Sequence, residues 1–196
     1  MRASSPAPNL VQAVRAHFGL GRAPLAGWLG VSEALLKQAA TNRRDLPTAA
    51  YLRLRPLAEA LPPTWAQPVA LLPAVPAPGP LAGPLPHPTA PAALRARLAT
   101  CRHLALGLAR KLAPLATRQA QARHLLAVLP TLAAGPPAAD AEAQRWLSVF
   151  EAQARERLGP AASAALALAQ ARRQALLVEA AQLAAWLGAA GEEAVA

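Results

Sequence analysis

Polar and basic side chains between residues 22 and 44 have the chemistry for contacting double-stranded DNA. Gln38 could pair with an adenine, Lys37 with a guanine or a phosphate, and Glu33 with a cytosine amino group. Arg43 and Arg44 suit phosphates, which orient a protein on DNA without specifying sequence. The candidate DNA-binding residues are Arg22, Ser32, Glu33, Ala34, Lys37, Gln38, Thr41, Arg43 and Arg44.

Residues 20–47 supply the elements that would present these side chains. The stretch predicts a short helix, a tight turn at Gly30 and a second helix, which together form a helix-turn-helix. Its compact apolar set is Leu25, Ala26, Leu29, Val31, Leu36 and Ala39. If Val31, Leu36 and Ala39 face inward, the residues that face outward are Glu33, Ala34, Lys37, Gln38 and Thr41. A recognition helix in the major groove needs such an outward face.

Two other interpretations of the same residues remain open. Any exposed helix carries polar side chains, and a basic pair such as Arg43 and Arg44 also complements the dipole at a helix C-terminus. The alternative function is a coiled-coil interaction or scaffold protein whose helix-turn-helix is a protein-docking module rather than a DNA reader.

Four helices are predicted in the head, with boundaries marked by capping residues. Asn9 caps the first and Gly19 ends it; the second runs from about Arg22 to Gly30. Ser32 caps the third, which ends near Thr41 with Asn42 in the left-handed conformation. The fourth is capped by Asp45 or Thr48, and Pro56 should bend it. Trp28 is expected to be an interface residue that docks on the linker, on the body or on a second protomer.

Composition predicts an all-α fold. Hydrophobic residues make up 54% of the chain and aromatic residues only 4%, so the core must be built from Ala and Leu, which favour helices. The predicted domains are a helix-turn-helix head over 9–61, a Pro-rich linker over 62–91 and a helical body over 92–188. Proline at this density favours an extended polyproline II spacer.

The body carries a heptad pattern typical of coiled-coil-like packing. Its first arm has apolar positions in alternating steps of four and three, broken only by a polar Gln119: Leu94, Leu98, Cys101, Ala105, Leu108, Leu112, Leu115, Gln119, Ala122, Leu126 and Leu129. A turn follows at 135–137, and a second arm contains the break Gly159-Pro160. Two arrangements fit: a long antiparallel hairpin or a doubled-over four-helix bundle. A hydrophobic body also offers a route to a homodimer.

The formal net charge of +10 suits a polyanionic partner, either nucleic acid or an acidic membrane surface. Only Lys37 and Lys111 are lysines, so arginine-rich codon bias accounts for part of the excess. The first arm of the body carries only basic charges: Arg95, Arg97, Arg102, Arg110, Lys111, Arg118 and Arg123. The end joined to the linker is therefore a second candidate contact for the DNA backbone.

Nothing in the sequence predicts an enzyme, a cofactor or a metal site. His17, His87, His103 and His124 are scattered, and Cys101 lies on the heptad seam, where a buried thiol is expected. A single cysteine fits a reducing compartment, and the N-terminus lacks the apolar region of a signal peptide. Prolines throughout 62–91 exclude a membrane-spanning helix there. The expected location is cytoplasmic, away from the membrane.

Residues 10–61 resemble the XRE-type (Cro/cI repressor-like) helix-turn-helix family. The matching core is LGRAPLAGWLGVSEALLKQ, and NRRDLP resembles the family's basic ending. The resemblance implies a five-helix DNA-binding fold and a transcriptional regulator. Arg22 stands where the family has a phosphate-binding Gln, and Arg can also bind phosphate. Ala40 and Asn42 replace the usual Glu and Gly.

Overall fold

The computed structural model describes residues 9–63, 91–135 and 140–193, with side chains described through residue 188. Every regular element in these ranges is an α-helix, which confirms the all-α prediction. The helices are α1 (Leu10–Phe18), α2 (Arg22–Leu29), α3 (Glu33–Ala40), α4 (Thr48–Glu59), α5 (Pro91–Ala134), α6 (Ala141–Arg157) and α7 (Pro160–Glu193). Most of the predicted Pro-rich linker lies outside the described residues.

Local capping chemistry sets the helix ends in the head, as the sequence predicts. The Asn9 side chain accepts a hydrogen bond from the Val11 backbone N–H at 2.8 Å, and Ser32 Oγ accepts one from Leu35 at 3.2 Å. Gly30 and Asn42 adopt left-handed φ values of 67° and 55°. The start of α4 differs from the prediction, because Pro47 occupies the N-cap position and no side chain caps this helix.

The chain forms two compact units. The first combines Met1–Ala70 with Thr117–Gly159, and the second combines Leu71–Ala116 with Pro160–Ala196. The head therefore shares one unit with α6 and the C-terminal part of α5. Its core is continuous from Phe18, Leu25 and Trp28 to Leu125 and Phe150.

Trp28 is buried in this core and packs against α6, which lies in the helical body, one of the neighbours predicted for this side chain. Its relative exposure is 1%, and its ring centroid lies 6.1 Å from that of Phe150 on α6. The indole Nε1 donates a hydrogen bond to the Arg53 carbonyl at 3.2 Å, so its polar atom is satisfied as well.

The buried face of α5 departs from the predicted heptad seam in the first unit. Leu125, Val128 and Leu132 are buried there, whereas the predicted seam residues Leu126 and Leu129 are only half-buried. In the second unit, the predicted seam residue Leu115 is also exposed. The physical reason for the change in the first unit is that its part of α5 packs against both α6 and the head. A heptad pattern describes one partner only.

The second unit pairs the N-terminal part of α5 with α7 in an antiparallel arrangement. Arg97 contacts Glu179, whereas Leu112, farther along α5, lines a groove with residues 170–174 of α7. The small core consists of Cys101, Ala180 and Leu183, which confirms that Cys101 is buried. α5 stays helical through Pro114, so the break in the first arm that a doubled-over bundle requires is absent.

None of the described helices combines the length and the apolarity that a membrane-spanning segment needs.

Candidate nucleic-acid interface

Helix α3 presents the polar face that the sequence predicts. Leu36 and Ala39 are buried beneath it, together with Ala40. All nine candidate DNA-binding residues are exposed: Arg22, Ser32, Glu33, Ala34, Lys37, Gln38, Thr41, Arg43 and Arg44. Because α3 makes a turn every 3.6 residues, Glu33, Ala34, Lys37 and Gln38 lie on neighbouring parts of one face. Side chains of this kind match the donor and acceptor pattern of the major groove.

The segment that follows α3 is fixed by its own backbone. Thr41 Oγ1 donates to the carbonyls of Lys37 and Gln38, at 3.2 and 3.1 Å. The Arg43 N–H donates to the Gln38 carbonyl at 2.9 Å, across the left-handed Asn42. Thr41 is therefore a helix-capping residue as well as a surface residue, and the turn directs Arg43 and Arg44 into solvent.

The end of α3 is held by Asn9, the N-cap of α1, and by Gln12 in the first turn of α1, a role that was not predicted. Asn9 Nδ2 donates to the Ala39 carbonyl at 2.9 Å and also contacts Asn42 Oδ1. Gln12 Nε2 donates to the Ala40 carbonyl at 2.7 Å. Asn9 was recognised only as the cap of α1. The sequence signal for this contact is a pair of amide side chains, Asn9 and Gln12, three residues apart at the start of α1.

The positive charge on this face is not neutralised within the described residues. The ion pairs among all the described residues join Arg53 with Asp140, Arg55 with Glu59, Arg97 with Glu179 and Arg155 with Glu151. Lys37, Arg43 and Arg44 take part in none of them. Arg22 opens α2, where the N-cap Gly21 supplies no side-chain acceptor. The first N–H groups of α2 are therefore available to an anion such as a phosphate.

The head docks on α6 through α2, which leaves α3 uncovered. Gly27 lies directly against the Trp146 indole, and a Cβ built on this glycine would overlap the ring. Trp28, the next residue, packs towards Phe150. Glycine is thus needed at position 27 for close approach of the two helices.

Polar contacts add to this docking at the C-terminal end of α1. Gln121 Nε2 donates to the Ala16 carbonyl at 2.7 Å, and Arg157 Nη1 donates to the Gly19 carbonyl at 3.1 Å. Both carbonyls belong to the end of a helix, where they lack partners within the helix. Side chains of α5 and α6 satisfy them instead.

A histidine pair lies beside these contacts. The rings of His17 and His124 stack with centroids 4.2 Å apart and an interplanar angle of 9°. Burial lowers the pKa of His17 below its ordinary value, and positive charge on the neighbouring His124 lowers this pKa further. Because nitrogen lone pairs lie in the ring plane, two parallel stacked imidazoles do not converge on a common metal ion.

Other potentially reactive groups are dispersed over the described residues. No group of three or more metal-ligating side chains comes together there. Burial raises the pKa of the Cys101 thiol, which favours the uncharged and less nucleophilic form. The exposed face of α3 is therefore the best-supported candidate site.

No family model matches the chain, and neither a curated protein nor a solved structure does so. The resemblance to XRE-type heads accordingly stays a prediction.

Proposed function

We propose that this chain is a DNA-binding protein, a transcriptional regulator that reads the major groove with α3. The observation that carries the proposal is the uncovered polar face of α3 beside Arg43 and Arg44. The head uses α2 for its contact with α6, so this face remains available for a ligand. Gln38, Lys37 and Glu33 would contact base edges, while Arg22, Arg43 and Arg44 would bind phosphates. Such a protein would work in the cytoplasm.

The experiment is a titration of the full-length chain onto random-sequence duplex DNA at several salt concentrations. The full chain is required because a head fragment would lose Trp146 and Phe150 from its packing surface. Replacing Arg43 and Arg44 by Ala should weaken binding and lower the salt dependence by about one unit of slope for each lost phosphate contact.

The matched control is Arg145→Ala/Arg155→Ala, which removes the same charge from exposed positions on α6. We expect this variant to bind as the wild type does. Equal binding by the wild type and the Arg43/Arg44 variant would contradict the proposal, as would an absence of binding at low salt.

A second candidate function, protein docking by the head, is favoured by two apolar side chains on α4. Tyr51 is 53% exposed and Leu52 59%, and the two are adjacent in sequence. Exposed aromatic and aliphatic residues of this kind are frequent at protein interfaces. Docking through them would be nearly independent of salt, whereas DNA binding should weaken steeply as salt rises. The same titration series therefore separates the two functions.

Self-association through the second unit is part of the proposal. Its own core is small, and Leu104 and Leu168 are exposed on it, the latter at 62%. Pairing with a second copy would bury such side chains and place two heads on one DNA. Sedimentation equilibrium should show a dimer that Leu168→Lys weakens and that Leu52→Lys on the head leaves intact. A monomeric wild type would contradict this part.

A further inference from the structure

Three exposed arginines follow one side of α5 in the second unit. We call Arg95, Arg102 and Arg110 the α5 arginine row; all three are exposed. They are separated by seven and eight residues, so each lies about two helical turns beyond the previous one. At ~1.5 Å per residue, the row extends over roughly 22 Å of helix.

The positive charge of this row is not compensated within the described part of the chain. The sequence has no Asp or Glu anywhere between Glu59 and Asp140. Glu179 on α7 is bound by Arg97 through two contacts, Nε to Oε1 at 2.6 Å and Nη2 to Oε2 at 2.8 Å. This pairing engages both oxygens of that carboxylate, and none of the ion pairs among the described residues includes a member of the row.

All three side chains of the row are exposed, so packing among the described residues does not explain it. α5 contacts α7 through a different side, which carries Leu94, Leu98 and Cys101. A row of like charges on an open helix face is repulsive, and an anionic ligand with regularly spaced charges relieves that repulsion. Duplex DNA is such a ligand, since each strand carries one phosphate per ~3.4 Å of helix axis.

We propose that the α5 arginine row binds the phosphate backbone of duplex DNA as a second, sequence-independent contact. This inference extends the proposed function and shares its ligand, but it rests on a different unit of the chain. An anionic membrane is the weaker fit, because surface-bound helices need a broad apolar face next to the charges. Leu106 is the one large apolar side chain that shares this side of α5 between Arg95 and Arg110.

The test measures binding of the full-length protein to two unrelated duplexes by fluorescence anisotropy across a salt series. The variant R95Q/R102Q/R110Q removes three cationic groups from the row. We expect the slope of log affinity against log salt to fall by about 2.7, at about 0.9 per phosphate contact. The loss of affinity should be the same factor on both duplexes, since backbone contacts carry no sequence information.

The matched control is R118Q/R145Q/R155Q, which changes the net charge equally at exposed positions of the first unit. We expect this control to keep the wild-type slope. A row variant with the wild-type slope overturns the inference, and so does an equal loss in the control, which would show a general charge effect.

Comparing the row variant with R43A/R44A distinguishes a failure of this inference from a failure of the proposed function. If R43A/R44A weakens DNA binding and the row variant does not, the head reads DNA and the inference fails. If only the row variant weakens binding, the inference stands and the proposed role of the head fails. Row-dependent binding to phosphatidylserine vesicles with an unchanged DNA slope also overturns the inference.

Discussion

Trp28 and Arg53 exchange two hydrogen bonds that join α2 to α4. The indole Nε1 donates to the Arg53 carbonyl, and Arg53 Nη1 donates to the Trp28 carbonyl, each at 3.2 Å. Arg53 Nη2 also contacts Asp140 Oδ2, the N-cap carboxylate of α6, at 3.0 Å. One arginine thus connects the end of α2, the middle of α4 and the start of α6, so the helix-turn-helix and the body are fixed together here.

Replacing Trp28 should destabilise the first unit strongly. Trp28→Ala removes a fully buried ring and leaves a cavity beside Phe150, which should cost about 3–5 kcal/mol of unfolding free energy. Trp28→Phe keeps most of the ring and loses the hydrogen bond from Nε1, so the expected loss is smaller. Urea unfolding followed by circular dichroism measures both. A loss below about 1 kcal/mol for Trp28→Ala would contradict the observed burial.

The sign of the change in unfolding free energy caused by Gly27→Ala tests whether α2 docks closely on α6. Alanine in a helix interior is normally stabilising relative to glycine by about 0.5–1 kcal/mol. At position 27 the new Cβ would overlap the Trp146 ring, so we expect a loss of about 1–3 kcal/mol instead.

The matched control for this change is Gly107→Ala on α5, where an added Cβ meets no described atom within 4 Å outside the backbone of its own helix. It should stabilise the protein slightly. In a Trp146→Ala background the penalty for Gly27→Ala should also disappear. A stabilising Gly27→Ala in the wild type would show that α2 does not approach α6 this closely.

Acid should loosen the contact between α1 and α5. The folded-state pKa of His17 lies below the ordinary value of 6.5, so the unfolded chain takes up the proton more readily. Stability attributable to His17 is therefore complete above that ordinary value and is lost as the pH falls below it. The His124 ring stacks on His17, and the Arg157 guanidinium binds the neighbouring Gly19 carbonyl, so a proton on His17 adds to positive charge nearby.

The measurement is the unfolding free energy at about pH 7.5 and about pH 5.5, on either side of the ordinary histidine pKa. His17→Gln should reduce the acid-induced loss, and His103→Gln, at an exposed position on α5, should leave it unchanged. An equally steep loss in the wild type and in His17→Gln would contradict the assignment.

The pair of Arg53 and Asp140 can be separated into its two contributions. Asp140 also caps α6, since its side chain accepts from the Glu142 N–H at 3.0 Å. Asp140→Asn keeps the capping ability and removes the ion pair, and a half-exposed pair of this kind contributes about 0.2–1 kcal/mol. Asp140→Ala removes both and should cost about 0.5–2 kcal/mol more. Thermal unfolding measures the loss of stability in each variant. Equal losses for Asp140→Asn and Asp140→Ala would contradict a separate capping contribution.

The sequence by itself determined the local structure of the head. Asn9, Gly30, Ser32 and Asn42 were predicted at helix ends and occupy them, because capping depends on φ, ψ and hydrogen bonds to residues only a few positions away. The exposed face of α3 followed in the same way, since helical periodicity alone separates Lys37 and Gln38 from Leu36 and Ala39.

Only the tertiary structure decided which helices meet. Three contacts join residues about a hundred positions apart in the sequence. They are the packing of Trp28 on Phe150, the stack of His17 on His124, and the hydrogen bond from Gln121 to the Ala16 carbonyl. Helical periodicity carries no information about such pairs. The change of buried face at Leu125 has the same origin: a heptad pattern predicts one packing partner, and α5 has two in the first unit. Long-range packing, which local residue preferences do not specify, therefore fixes the head on α6 and on the C-terminal part of α5.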